Sequence, residues 1–84
     1  MFRIFKRKCW QPNDAWPSGY EPYARPMDSC PTYAEVDTRK DAVEICGDRN
    51  EHWRAMEFKV SAGVATKAQL KRYYMTYRYE WTET

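Results

Sequence analysis

The chain has 84 residues, 43% of them hydrophobic, and its 14 basic and 12 acidic side chains leave a formal charge of +2. That length fits one small domain and leaves no room for two. No apolar run approaches the roughly 18 residues of a membrane-spanning helix, and no apolar stretch follows the basic start Met1–Lys8. The sequence therefore predicts neither a membrane span nor a secretory precursor.

Phe2, Ile4, Lys6, Lys8 and Trp10 alternate with Arg3, Phe5, Arg7 and Cys9. This period of two predicts a first strand over residues 2–10, whose lysines and arginines suit the edge of a sheet. All five prolines then fall within residues 11–31, together with Trp16, Gly19, Tyr20 and Tyr23. Proline lacks the backbone donor and fixes φ, so this segment reads as a long loop, packed down by its own aromatic rings. Trp16-Pro17-Ser18-Gly19 has turn chemistry.

Thr32–Val36 suits a short strand. Thr38, with Asp41 three residues on, offers an N-cap, and Ala42, Val43, Ile45, Cys46 and Arg49 follow at helical spacing. A helix over 38–50 is expected, with Asp41, Glu44, Asp48 and Glu51 as its solvated face and Gly47 weakening its interior. Arg54, Met56, Phe58 and Val60 alternate with polar neighbours and predict a strand over 54–61. After the connection 62–65, Thr66 and Gln69 are placed to cap a helical turn through Leu70. Tyr73, Met75, Tyr77, Tyr79 and Trp81 share one parity and predict a last strand over 71–83. The expected fold is α+β: a small antiparallel sheet of three to four strands, one principal helix packed on one face, and the long Pro/aromatic loop, all in a single domain.

Leu, Ile and Val together number only seven, whereas Trp and Tyr number four and seven. Each buried aromatic ring removes about 150–250 Å² from water, so a few rings replace many aliphatics and the core is expected to be aromatic. Cys9, Cys30 and Cys46 form an odd set without a Cys-x-x-Cys pair and read as reduced thiols. A Cys9–Cys30 bridge would close the loop between them. A zinc site from the three thiols and His52 would have spacings unlike any zinc knuckle, so no metal and no cofactor is expected.

The run Cys9-Trp10-Gln11-Pro12-Asn13-Asp14-Ala15-Trp16-Pro17-Ser18-Gly19-Tyr20-Glu21-Pro22 resembles a pattern in small uncharacterised proteins of tailed bacteriophages, where a first strand runs into Trp-x-x-Asn, Trp-Pro-x-Gly and Glu-Pro. Asp37-Thr38 through Ala42, Cys46 and Asn50 resembles the capped helix that follows there. The likeness covers about residues 1–50, and residues 53–84 are longer and richer in tyrosine. It implies a phage origin and a host bacterial cytoplasm, and it implies no activity.

The residues admit three functional readings. Catalysis lacks material: His52 is the only histidine, and Gly19, Gly47 and Gly63 form no phosphate loop. Nucleic-acid binding would use Lys6, Arg7, Lys8, Arg72 and Arg78 on phosphates and Trp10 as a stacking platform, against an overall charge of only +2. A protein-interaction module fits the surplus of Tyr, Trp, Met and Arg. The favoured expectation is a non-enzymatic binder of a host or phage protein, such as an inhibitor of a host defence system, acting through Trp16, Tyr20, Tyr23, Arg25 and Met27. Such a chain would be a monomer or a homodimer joined at an exposed strand edge.

Overall fold

Ile4 and Phe5 are buried on opposite faces of the first strand, which therefore needs cover on both sides. The computed structural model, which describes residues 1–84, supplies it. Strand β1 (Phe2–Lys8) is followed by β2 (Trp10–Pro12), β3 (Tyr20–Pro22), a single 3-10 turn at Met27–Ser29 and β4 (Thr32–Val36). Helices α1 (Arg39–Ser61) and α2 (Lys67–Met75) and strand β5 (Tyr77–Glu83) complete the chain. The main sheet is antiparallel with order β4-β1-β5, and β2 and β3 form a separate two-stranded ribbon. The fold is α+β.

The basic first strand lies at the centre of the sheet, not at its edge as expected. Its cations are accommodated because their heads leave the strand. Arg3 and Arg7 place their guanidinium carbons 5.2 and 5.4 Å from the Phe5 ring centre. Lys6 Nζ lies 5.5 Å from the centre of Tyr77. Long alkyl stems covering apolar surface make such a strand compatible with a central position.

Helix α1 begins where Thr38 predicts, its hydroxyl accepting the Asp41 N–H at 3.1 Å. It does not stop at residue 50, and the predicted strand over 54–61 is part of the same helix. Ala42, Cys46, Trp53, Met56 and the half-buried Val60 repeat at intervals of three, four and seven, forming one continuous apolar stripe. The apparent alternation came from Phe58, which is 75% exposed and belongs to no core. Gly47 costs about 1 kcal/mol in a helix interior, well below what burying Trp53 and Met56 returns. Gly63, at φ 72°, ends the helix: the Gly63 and Val64 N–H groups return to the Val60 and Lys59 carbonyls.

The predicted strand over 71–83 is also divided. Thr66 and Gln69 form a reciprocal capping box, and the helix they start runs to Met75. Leu70, Tyr73 and Tyr74, at i, i+3 and i+4, carry its inner face, so only Tyr77–Glu83 is strand. The predicted loop over 11–31 is likewise part ribbon, because Pro12 and Pro22 sit at strand ends where no ladder donor is needed.

Two apolar clusters result. In one, Ile4, Ala42 and Cys46 are surrounded by Phe2, Tyr33, Tyr79 and Trp81 between the sheet and the first half of α1. In the other, Trp53, Met56 and Tyr73 meet Trp10, Val60 and Tyr74, where the second half of α1 extends past the sheet and holds α2 and the ribbon. With 23 residues in α1, the molecule is elongated, 41 × 24 × 15 Å. The second cluster is aromatic at its centre, whereas in the first the rings of Phe2, Tyr33, Tyr79 and Trp81 surround a non-aromatic centre of Ile4, Ala42 and Cys46.

Candidate protein-binding surface

The ribbon is built to hold its turn still. Glu21 accepts from Gln11 and from Asn13 Nδ2, the latter at 3.1 Å. Asn13 also accepts the Ala15 N–H on its side chain at 3.0 Å and exchanges backbone bonds with Trp16 and Gly19. Gly19, at φ 80°, supplies the left-handed residue that closes the turn. Tyr20 then stacks on Tyr74 of α2, ring centres 4.9 Å apart and planes within 16°. Trp16 projects from this pinned turn, 45% exposed.

The five residues expected to bind a partner do not form one patch. Tyr20 packs on α2, and Trp16 stands on the turn just before Tyr20. Tyr23, Arg25 and Met27 belong to a strap, residues 23–31, whose Met27 and Cys30 carbonyls meet Arg3 where its guanidinium lies over Phe5. The strap is tied down by the Tyr23 N–H on the Cys9 carbonyl, the Lys6 N–H on the Pro31 carbonyl, and Arg3 on the Cys30 and Met27 carbonyls. Within the strap Cys30 is buried, whereas Tyr23 and Met27 are 38% and 39% exposed. Arg25 is occupied locally, donating to Ser29 Oγ at 3.3 Å.

Of the residues of the nucleic-acid alternative, Lys6, Arg7, Lys8 and Arg78 share the paired strands β1 and β5, with Arg7 opposite Arg78, but the two arginines are engaged within the chain. Arg7 is held by Glu80 at 3.1 Å, and Arg78 lies over Trp53 at 5.0 Å. Trp10 packs edge-on against Tyr74, with centres 5.0 Å apart, and its indole nitrogen is buried without a partner. It is a half-buried ring packed against the cluster of Trp53, Met56 and Tyr73. Lys8 is half-buried on β1, and Arg72 is exposed on α2.

Cys9, Cys30 and Cys46 are free thiols. No three His, Cys, Asp or Glu side chains converge as metal ligands would. Cys46 is buried toward the sheet and His52 is exposed; six residues apart on a helix they point about 120° apart and lie about 9 Å apart along its axis, too far to act together. Burial raises the pKa of Cys46 above the ordinary thiol value, reinforced by Glu80, and burial raises that of Cys9 although Arg78 opposes it. Burial also raises Tyr73, with Glu57 and Tyr74 adding to the effect. Each group binds its proton more tightly in the folded chain, so each contributes stability that is complete at neutral pH and lost as pH rises through its raised pKa. The thermal midpoint is expected to be flat near neutrality and to fall above about pH 8.5, where thiols ionise in the unfolded chain. Melts across pH 7–10 measure this, and a midpoint that rises through that window would contradict it.

Reasoning from the sequence missed the groove between the ribbon turn and α2, whose walls include Lys67, Leu70 and Lys71 beside Tyr20 and Tyr74. The signal was present: once the Thr66/Gln69 cap starts a helix, positions 67, 70, 71 and 74 share a face. It also missed Asn50. The Asn50 side chain donates to the Tyr79 carbonyl and accepts the Tyr79 N–H, both at 2.8 Å, closing the middle of the otherwise unpaired edge of β5. No family model, curated protein or solved structure matches this chain. No helix is long and apolar enough to cross a membrane.

Proposed function

We propose that the chain is a small, non-enzymatic protein-binding module whose principal contact is Trp16 with the adjoining face of α2. The observation that carries this reading is the exposed indole on a turn fixed by Asn13, Gly19 and the Tyr20–Tyr74 stack. Tryptophan is among the side chains most enriched at the energetic centres of interfaces, and a pre-ordered turn removes much of the ordering cost of binding. Tyr23 and Met27 on the strap offer a second, separate contact. The resemblance of the N-terminal segment to tailed-phage proteins supports a phage origin, a host or phage protein as partner, and the host cytoplasm as the setting. Within that setting, inhibition of a host protein or defence system is the role the reading favours.

Nucleic-acid binding has less support, since Arg7 is paired with Glu80 and Trp10 packs against Tyr73 and Tyr74. The test is capture from a bacterial host lysate by the tagged chain and by Trp16→Ala. The variant is expected to lose the captured protein while its thermal midpoint moves by less than about 4 °C, the shift of a ~1 kcal/mol change in a domain of this size. Equal capture by both proteins would reject the reading. A collapsed midpoint would instead make Trp16 a structural residue.

A further inference from the structure

The groove beside Trp16 is amphipathic in a definite way. Its floor is apolar: Pro17 of the turn, Leu70, and the stacked rings of Tyr20 and Tyr74. Its rim carries Lys67 and Lys71 and no acidic side chain, and its volume is about 350 Å³. Both lysines are exposed, and neither is in an ion pair, because the chain's one salt bridge joins Arg7 to Glu80. Helix α2 holds three bases and no acid, while Asp41, Glu44, Asp48 and Glu51 lie on the first half of α1. The lining of the groove is therefore cationic: the acids on the neighbouring elements, Asp14, Glu21 and Glu57, do not line it.

We infer that this groove receives an acidic segment of the partner protein, which lodges one aliphatic or aromatic side chain against Leu70 and Tyr20 and sets two carboxylates on Lys67 and Lys71. The inference rests on the protein-binding reading and specifies the chemistry of what is bound. Two lysines four residues apart on a helix have Cβ atoms about 5–6 Å apart, close to the spacing of carboxylates two residues apart on an extended strand or three to four apart on a helix. The aromatic floor disfavours a nucleobase. Tyr74 gives one face to Tyr20 and meets the edges of Trp10 and Tyr73, so only the outer face of Tyr20 is left for stacking. Carboxylates beside a buried apolar side chain use both parts of the site, whereas phosphates use only the rim.

The experiment titrates the full chain into a fluorescent peptide of alternating Glu and Leu, its Gln/Leu counterpart, and a single-stranded oligothymidine. Saturable binding of the Glu/Leu peptide is expected, weakened by added salt and weaker by about tenfold or more in the double variant Lys67→Glu/Lys71→Glu. Lys67 opens α2, where an acidic residue is favourable, and Lys71 is exposed one turn on, so this variant is expected to keep its fold, and its melting curve checks that directly. Equal binding of the Gln peptide, unchanged binding by the double variant, or no saturation at about 1 mM peptide would overturn the inference. Preferential binding of the oligonucleotide would overturn it too, as would concentration-dependent dimerisation of the wild type that the double variant abolishes. Lysate capture separates this inference from the reading beneath it. If Trp16→Ala loses the partner and the charge-reversed variant keeps it, binding stands and the acidic-segment inference fails. If both variants keep it, the protein-binding reading itself fails.

Discussion

Asn50→Ala is expected to lower the unfolding free energy by about 2–3 kcal/mol and to make the chain associate as its concentration rises. The first effect follows from geometry. The Asn50 amide bonds to both backbone groups of Tyr79 at 2.8 Å, in a half-buried place where water replaces neither bond fully. Two neutral hydrogen bonds are each worth about 0.5–1.5 kcal/mol net, and leaving partly buried backbone groups unmatched adds to that. In a domain of this size the midpoint falls by roughly 10–20 °C. The second effect follows from topology. β5 is paired to β1 on one side only, and Asn50 plugs the middle of its other side. Without the plug, the outward backbone groups of Tyr77, Tyr79 and Trp81 form an uninterrupted edge, the arrangement that favours strand pairing between copies. Sedimentation velocity at rising concentration, beside a denaturant melt, reads both effects. An Asn50→Ala protein as stable and as monodisperse as the wild type would refute the role given to this side chain.

Trp53→Ala should be the most destabilising single change, costing about 3–5 kcal/mol. Trp53 stacks on Tyr73 with ring centres 5.6 Å apart, carries Arg78 on its ring at 5.0 Å, and sits in the cluster that ties α2 and Trp10 to α1. A domain of this length has a total stability of about 4–13 kcal/mol, so the loss is a large share of it. The damage is expected to be uneven. Amides of α2 and the β2–β3 ribbon should lose hydrogen-exchange protection first, because the cluster around Ile4, Ala42 and Cys46 is separate and untouched. Trp53→Phe should be much milder, about 1 kcal/mol or less. The Trp53 indole nitrogen is buried without a hydrogen-bond partner, so the phenyl ring loses area but also removes an unmatched donor. Comparable losses in the two variants would show that the hydrogen-bonding state of the indole, and not the stacked surface, sets the stability.

Short-range chemistry was readable along the chain. Thr38 and Thr66 announce the two helix starts, Thr32–Val36 is the strand it was expected to be, and the scarcity of Leu, Ile and Val beside many Trp and Tyr calls for ring packing, which forms the centre of one cluster and the surround of the other. These signals act within a few residues or through summed composition, so no partner element is needed to read them. The helix face that makes the groove was implied by the Thr66 cap but masked by the parity Tyr73 and Met75 share with β5, since two residues cannot distinguish a period of 2 from one of 3.6. Long-range packing decided the rest. α1 continues through Gly47 and residues 54–61 because Trp53 and Met56 find Tyr73 and Trp10 to pack against, a gain that outweighs the local cost of glycine. The basic β1 becomes the central strand because α1 covers Ile4 while Arg3, bonded to the strap, and Arg7 lie over Phe5. The pairing of Asn50 with Tyr79 across 29 residues, and the meeting of Pro17 and Tyr20 with Lys67 and Leu70, exist only once those elements have docked. Capping is a property of neighbouring residues, whereas strand order and a groove between two elements arise from burial shared by segments distant in the chain.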